Sequence, residues 1–544
     1  MPKQIVLLTG RIAAGKTTLC DHLRRFDDVH VLKTKEIIRG AALKRMGHAI
    51  EAERKAMQDF GDRLDRETKG QWVRDELRRL LGNLGANEPR AIIIVDSVRI
   101  LEQIKAIRDS YGYTVVHIHL HASDKELARR YSRRQSGLKE LRSYGQLADN
   151  DTEARVAGLE KAADVVIDTE LCRPMDVLVR AAAQIGLYTR EYGRTVDVIV
   201  GGQYGSEGKG HIASYLAREY DVLVRVGGPN AGHRVFMSPT PYIHHQLPSG
   251  TLRNTSARLV LAPGAVLNVD LLLKEMSECK VDVDRLFIDP QAMVISEGDI
   301  ARESGLVERI GSTGQGVGMA TARRIIDRGK KIKLAGDVKE LKKYVREAWE
   351  VLEEAYKRGS RILVEGTQGT GLSLFHGQYP YVTSRDTTVS GCLSEAGISP
   401  SRVRKVIIVC RTYPIRVQNP DNGTSGKMWQ EISWKTVSAR SGIPRSKLEK
   451  TERTSTTDRR RRVSEFDWEL LRKSSAINGP TDIALTFADY LGSKNADARR
   501  YEQLSPETIR FVEEVERVGS APVSLISTEF HFRSIIDRRS WRIQ

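Results

Sequence analysis

Two stretches of this 544-residue chain bring together residue types that handle phosphate. The first is Gly201-Gly202-Gln203-Tyr204-Gly205-Ser206-Glu207-Gly208-Lys209-Gly210, between an apolar run at 196–200 and a helix-like segment at 211–220. Gly205, Gly208 and Gly210 let backbone amides close on a phosphate beside Glu207, and Lys209 adds a positive charge. Ser206 is the unusual member, because a hydroxyl cannot accept a proton at neutral pH. The second stretch is Gly10-Arg11-Ile12-Ala13-Ala14-Gly15-Lys16-Thr17, the full G-x-x-x-x-G-K-[ST] pattern with strand 4–9 before it and helix 18–25 after it. Here Gly10 to Gly15 and Thr18 are expected to cradle the phosphates of ATP. Lys16 reaches the β- and γ-phosphates, and the Thr17 hydroxyl ligates Mg²⁺. A chance glycine turn is the alternative, and the strand-loop-helix context argues against it.

The elements around the second loop form a parallel α/β unit. Strand 91–95 ends at Asp96, followed by Ser97, Val98 and Arg99. Asp96 either holds a magnesium-bound water or caps the next helix. Strand 114–120 leads into a basic segment at 128–134, in which Arg130 and Arg134 form either a lid over the transferring phosphoryl group or a solvated helix face. Strand 163–168 and helix 175–184 complete the unit. A polar, glycine-containing joint follows, and from Thr195 the strand and glycine-loop pattern restarts, with a further strand at 221–226. The expected organisation is a kinase-like domain at 1–186, a linker at 187–194 and a larger α/β domain at 195–544.

The composition narrows the function. No apolar run approaches the roughly 18 residues of a membrane span, and Met1-Pro2-Lys3-Gln4 leads directly into a strand, so a soluble cytoplasmic protein is expected. Five scattered cysteines suit a reducing compartment and no thiolate zinc site. The net charge of +17 fits nucleic acid or small polyanions, but aromatic residues are 6% of the chain and do not interleave with basic stretches, which favours nucleotides over polymers.

Residues 1–186 resemble the P-loop nucleoside and nucleotide kinases, on Gly10 to Thr17, the Asp96 to Arg99 turn and the lid arginines; the resemblance leaves the phosphoryl acceptor open. In the second domain, the Gly201 to Gly210 loop and Gly227-Gly228-Pro229-Asn230-Ala231-Gly232-His233-Arg234 resemble the signature loops of adenylosuccinate synthetase. Leu247 to Gly250, Gly311 to Gly318, Glu365 to Gly369, Tyr379 to Ser384 and Ser455 to Arg462 match in the same order. The resemblance implies a mainly parallel sheet and replacement of the 6-oxo group of a purine nucleotide by the amino group of L-aspartate, after phosphorylation of O6 by a nucleoside triphosphate with Mg²⁺. It implies that His233 is the acid toward the phosphoryl group and O6, that the Gly232 carbonyl ligates Mg²⁺ and that Lys209 binds phosphate. Asn230, Thr313, Gln368 and Thr383 match positions that hold the purine nucleotide, with Gln368 also in the catalytic set. Thr456, Thr457, Arg459 and Arg461 match the aspartate loop, although four consecutive arginines also suit a plain charge run. Arg323, Arg324 or Arg328 would reach a partner subunit's nucleotide phosphate, with Arg324 chosen, and a homodimer follows from the resemblance. Asp458 stands where the family has glycine, which puts the loop's backbone in question.

Two departures bear on the substrates. Ser206 replaces the family aspartate that takes the N1 proton of inosine monophosphate, so Glu207 or water takes over, or the substrate has changed. A smaller neutral side chain leaves room for the 2-amino group of guanine, and the G-S-E-G-K-G form resembles the phage-type branch that joins aspartate to dGMP on the route to diaminopurine DNA. Phe487, in Thr486-Phe487-Ala488-Asp489, replaces the lysine that with Asp489 recognises the guanine of GTP. ATP or dATP is therefore expected as donor over GTP. The alternatives are an ordinary enzyme acting on inosine monophosphate with GTP, and a nucleotide sensor without turnover.

Overall fold

The computed structural model describes residues 4–26, 28–46, 54–84, 91–133, 144, 151–188, 193–329 and 332–540. Internal contacts divide the chain into two compact units, Met1–Arg190 and Glu191–Gln544.

The first unit is built on β1 (Gln4–Thr9), β2 (Val29–Leu32), β3 (Ile92–Val95), β4 (Val115–His121) and β5 (Val165–Asp168). They pair in the order β2-β3-β1-β4-β5, every pair parallel. Such a sheet must be covered on both faces, so β3 and most of β1 are continuous apolar runs, whereas β4 interleaves buried His117 and His119 with its apolar residues. In β1, Val6 and Leu8 pack with Leu19, Leu23 and Leu178, whereas Ile5 and Leu7 pack with Val73, Leu77 and Ile104. The first helix, Lys16–Leu23, starts two residues earlier than its sequence pattern indicates because Gly15, at φ 98°, caps it. Strand β2 and the helices Thr34–Met46, Arg54–Thr68 and Gln71–Asn83 escape the pattern of apolar strands and turns. Arg54–Thr68 is strongly charged, and its buried apolar side chains form a narrow stripe, Met57, Phe60 and Leu64, at helical spacing, with Gln58 buried beside it.

The second unit carries a nine-stranded sheet. Its strands are β6 (Val196–Gly201), β7 (Val222–Arg225), β8 (Arg258–Leu261), β9 (Leu286–Ile288), β10 (Ile362–Glu365), β11 (Val403–Arg411), β12 (Asp482–Thr486), β13 (Val523–Ser527) and β14 (Ile535–Asp537). The order is β9-β8-β7-β10-β6-β11-β12-β13-β14, with only the last pair antiparallel. Val196, Val198 and Val200 face one core and Ile199 the other, as the two-residue period of a strand requires. From central β6 the chain runs out on one side, returns at β10 and leaves on the other side through β11. The carboxyl ends of these strands therefore open at a topological switch point, where ligands bind in open α/β sheets.

Candidate active site

The glycine loop after β6 is held from inside by its own acid. Gly205 and Gly208 take φ values of 102° and 88°, and Gly208 caps the helix Lys209–Leu216. The Glu207 carboxylate is 1% exposed and accepts the N–H groups of Gln203 (3.0 Å) and Gly205 (2.7 Å) and the Lys209 ammonium (2.7 Å). It fills the space beside Gly201 and Gly369, where a Cβ would lie 2.7 and 2.5 Å from its oxygens. This corrects one expectation: Glu207 is turned into its own loop and engaged by three donors, so it is not placed to take the N1 proton, and it would serve a nucleotide only through the loop it shapes. Lys209 also donates to the Gly205 carbonyl at 3.0 Å and is likewise 1% exposed. Ser206 is half-buried, and its carbonyl accepts from Arg411 at 3.3 Å.

Beside the loop, β7 and β10 pair in register so that Arg225 and Glu365 come side by side at their carboxyl ends. Arg225 Nη1 lies 2.8 Å from Glu365 Oε1 and 2.8 Å from His233 Nδ1. Glu365 also accepts from His233 Nδ1, from the Ser249 N–H at 2.7 Å and from the Ser249 hydroxyl. Burial and the Arg225 guanidinium push His233 down to about 3, so its ring is neutral. Burial alone would raise Glu365, but Arg225 and His233 outweigh it and hold the carboxyl well below the usual range. With Nδ1–H directed at Glu365, the imidazole presents Nε2, which is buried without a hydrogen-bond partner. A Cβ on Gly210 would lie 2.6 Å from His233 Cβ, so only glycine lets the loop helix approach this ring.

The remaining expected residues gather around these two clusters. Asn230 is half-buried with a partnerless Oδ1. Gln368 has φ 56°, and its side-chain oxygen accepts from Thr367 at 2.6 Å, while Thr367 in turn accepts from buried Arg385 at 2.7 Å. A left-handed non-glycine residue is sparsely populated and is typical of a position fixed by its surroundings. Thr313 and Thr383 are half-buried on their loops. The Gly232 carbonyl accepts from the Ser455 hydroxyl at 2.7 Å, which leaves its second lone pair. Among the described residues, no group of three or more His, Cys, Asp or Glu side chains is arranged to hold a metal.

The four arginines separate in the structure. Arg461 is paired with buried Glu452 at 3.2 Å, burial lowers its affinity for its proton, and its Nε is without a partner. Arg462 pairs with Glu431 at 2.8 Å. Arg459 is half-buried, and its backbone N–H donates to Thr454 Oγ1, which also bonds Thr457 Oγ1 at 2.8 Å; Thr456 is half-buried between them. Asp458 adopts φ 49°, the conformation a glycine would take, with its carboxylate on Arg453 at 3.1 Å, so the loop keeps a glycine-like backbone despite the substitution.

At the end of β12, Thr486 donates to the Glu207 carbonyl at 2.6 Å. Phe487, at φ 58°, lays its ring 4.0 Å from the Arg411 guanidinium, which is itself paired with Glu452 at 2.8 Å. Asp489 is half-buried, its Oδ1 is buried without a partner, and desolvation with the like charge of Glu529 nearby raises its carboxyl to about 7. Arg323 pairs with Asp299 at 2.7 Å; Arg324 donates to the carbonyls of Gln291 (2.6 Å) and Pro263 (3.2 Å); Arg328 is exposed. Arg225, Glu365, Ser249 and Arg411 carry no role in the sequence reading. The signal for Arg225, Glu365 and Arg411 is a charged residue ending a strand, as in Val222-Leu223-Val224-Arg225 and Ile362-Leu363-Val364-Glu365, whereas Ser249 has none.

In the first unit, Gly10 and Gly15 take φ 137° and 98°, and a Cβ on Gly10 would strike the Leu120 carbonyl at 2.5 Å. Lys16 donates to the Gly10 and Arg11 carbonyls. Thr17 and Thr18 are exposed on the wall of a cavity of about 920 Å³ that Asp96 also lines. Asp96 accepts the Thr34 N–H and hydroxyl, both at 2.9 Å and both on Oδ1, and burial raises its carboxyl. Arg130 is tied to Glu126 at 2.7 Å and to Thr169 at 2.9 Å; Arg134 lies outside the described residues.

A family model described as Adenylosuccinate synthetase matches residues 198–337 and 333–496, and one described as AAA domain matches 6–158. The chain is 38% identical to the adenylosuccinate synthetase of Pyrococcus horikoshii over 350 residues, 63% of this chain and 98% of the relative. It is 37% identical to that of Methanocaldococcus jannaschii over 354 residues, 64% and 97% of the two chains. Among solved structures, cyanophage S-2L succinoaminodeoxyadenylate synthetase, bound to dGMP and to dATP as an energy donor, is 28% identical with a TM-score of 0.55, covering 64% of this chain and 96% of that one. The Plasmodium falciparum adenylosuccinate synthetase, at 20% identity and TM-score 0.55 over 64% of this chain and all of that one, shares the fold. With the loops after β6, β7 and β10 meeting around His233, the chain belongs to the adenylosuccinate synthetase family, an aspartate ligase of that type fused to a P-loop kinase-like domain.

Proposed function

We propose that the second unit joins L-aspartate to C6 of a guanine nucleotide, dGMP or GMP, with ATP or dATP as phosphoryl donor. The observation that carries the reading is Ser206, a half-buried neutral residue on a loop whose one acid, Glu207, faces inward. An inosine-type site has its base at this position; here the smaller side chain leaves room for a 2-amino group and can hydrogen-bond to that edge. The structural relative whose solved form holds dGMP and dATP supports the same substrates.

In this reading O6 bonds to the γ-phosphorus, the bond to the bridging oxygen breaks, and the nucleoside diphosphate leaves. The aspartate amine then adds at C6 and phosphate departs. Water beside Ser206 relays the N1 proton to bulk solvent as O6 gains the phosphoryl group. His233 meets the phosphoryl group through Nε2, where anionic oxygens favour the protonated ring that Arg225 otherwise disfavours. Lys209 and the loop amides hold phosphate, and Asn230, Thr313, Gln368 and Thr383 hold the purine nucleotide. Arg459 and Arg461, with Thr456 and Thr457, grip the two carboxylates of aspartate. The Gly232 carbonyl, which has one lone pair left beside its bond from Ser455, would hold Mg²⁺ together with the substrate phosphates, and the ion would supply neutralising charge there. Arg328 is better placed than Arg324 to reach a second subunit in a homodimer, since it is exposed and only its Nε is held, on the Ile325 carbonyl, whereas the end of the Arg324 guanidinium is held by two carbonyls of its own chain. In the first unit, Lys16, Thr17 and Asp96 would hold ATP and its magnesium.

At Asp489 a neutral carboxyl donates to adenine N1 and accepts from its 6-amino group, whereas guanine, with donors at N1 and N2, needs the ionised form. The competing reading, inosine monophosphate with GTP, is favoured by the names of the relatives at 37–38% identity. Protein supplied with aspartate, Mg²⁺ and ATP should convert dGMP or GMP to a succinylated nucleotide detectable by mass. Ser206→Asp should shift kcat/KM toward inosine monophosphate by about ten-fold or more, the effect of one misplaced polar contact. Turnover of inosine monophosphate alone by the unsubstituted protein would sink the proposal.

A further inference from the structure

We infer that the cavity beside the first glycine loop takes a nucleoside monophosphate as phosphoryl acceptor, with Arg99 on its phosphate and Gln58 on its base. This rests on the first unit being an ATP-dependent kinase. The cavity, at about 920 Å³, is near the top of the range of roughly 300–1,000 Å³ typical of a single bound ligand. Beyond Lys16 and Thr17, its wall includes Ile38, Met57, Gln58, Trp72 and Arg99, none of which belongs to the phosphate loop. There is room and a separate lining for a second molecule.

Gln58 is the informative residue. It sits on the helix Arg54–Thr68, is 6% exposed, and its Nε2 is buried without a hydrogen-bond partner. Native structures rarely leave a buried amide unmatched unless a ligand or water completes it. An amide offers a donor and an acceptor side by side, which matches the edge of a nucleobase better than a phosphate. The neighbouring wall suits a flat ring: Met57 is buried, and the Trp72 indole is fixed by its hydrogen bond to Asp65 at 2.6 Å. Asp65 also accepts from Gln103 at 2.8 Å, so this buried acid is engaged in holding the wall.

Arg99 supplies the other half. Its backbone N–H donates to Gln103 at 2.9 Å, but its guanidinium makes no hydrogen bond or ion pair among the described residues. By contrast, Arg129 and Arg130 are committed to Glu126, and Lys33 pairs with Glu36 at 3.3 Å. Arg99 follows Asp96 by three residues on the turn after β3, so an anion gripped there lies close to the magnesium position. An acceptor phosphate is largely ionised near neutral pH, its second pKa being about 6, so transfer requires no side-chain base. One of its oxygens bonds to the γ-phosphorus of ATP, the bond to the β,γ-bridging oxygen breaks, and ADP leaves together with a nucleoside diphosphate.

The test uses the full chain with ATP and Mg²⁺ but no aspartate. It is offered nucleoside monophosphates of each base, the matching nucleosides, a hexose and a hydroxy acid, with products separated by ion-exchange chromatography. Monophosphates should yield diphosphates and the other acceptors nothing. Gln58→Leu should raise the KM for the preferred monophosphate by about ten-fold and flatten the preference among bases, the size of one lost polar contact. The KM for ATP should stay unchanged, which also reports a folded domain. Arg99→Ala should raise the acceptor KM alone. Transfer to a nucleoside or hexose in place of the monophosphate, or a Gln58→Leu protein with unaltered acceptor KM and base preference, overturns the inference while the kinase reading stands. Absence of any transfer that Lys16→Ala removes overturns the kinase reading and this inference with it.

Discussion

Asp489 holds a buried oxygen without a partner and a carboxyl raised to about 7, because burial and nearby Glu529 disfavour its charge while Lys447 and Arg411 favour it. In the proposed donor site the neutral acid would pair with adenine below pH 7, and above it the carboxylate would repel the adenine N1 lone pair and suit guanine. The ratio of kcat/KM for ATP to that for GTP should therefore fall as pH rises through about 7, a quantity from which titrations common to both donors cancel. Asp489→Asn, which keeps a donor and an acceptor without a charge, should hold the ratio flat and in favour of ATP. A ratio that titrates equally in the variant would assign the effect to another group. The sequence alone points to Asp489 and to the missing lysine at Phe487. It cannot show that Phe487 lies against Arg411 or that an oxygen of the acid is buried, because both follow from packing between segments distant in the chain.

At the scale of the element, the loop after β6 depends on Glu207. Its carboxylate accepts two loop amides and the buried Lys209 ammonium. Glu207→Gln keeps the shape but turns an amide N–H toward an ammonium and leaves that charge uncompensated, which typically costs about 3–5 kcal/mol. The urea midpoint of the second unit should fall accordingly, and the nucleotide KM should rise, whereas an exposed catalytic acid would have left the midpoint unmoved. Here the sequence is legible in one respect only. The apolar run, the glycines and the following helix mark a phosphate loop, since each is a local signal. The direction of the acid is not local, because it is decided by Gly201, at the end of β6, and Gly369, in the loop after β10, whose missing side chains make its space. The same division separates Asp458, whose left-handed backbone a polar residue tolerates, from Arg324, which is drawn onto the carbonyls of Pro263 and Gln291.

At the scale of the molecule, each of the two units is built on a main sheet with its own cores and its own glycine loop. Lys16→Ala should abolish phosphoryl transfer in the first unit and leave formation of the succinylated nucleotide within about two-fold, as for sites that share no partners. A parallel loss of ligation would show that the two activities are coupled. The α/β class and the restart at Thr195 are legible because buried parallel strands are continuous apolar runs ending in glycine or a charge. The helices Thr34–Met46, Arg54–Thr68 and Gln71–Asn83 are not, since their polar surfaces hide narrow buried stripes, and the acceptor wall lies among them.

The in-register meeting of Arg225 and Glu365 has a further consequence. These residues are the last of two neighbouring strands, so the proton on His233 is governed by the sheet itself, the most rigid part of the unit. Ser206, Phe487 and Asp489 sit on turns beyond the strand ends. On the proposed roles, proton handling and substrate choice are thereby modular: turns could diverge to admit a different purine or a different donor while the acid that would serve every such substrate is inherited unchanged.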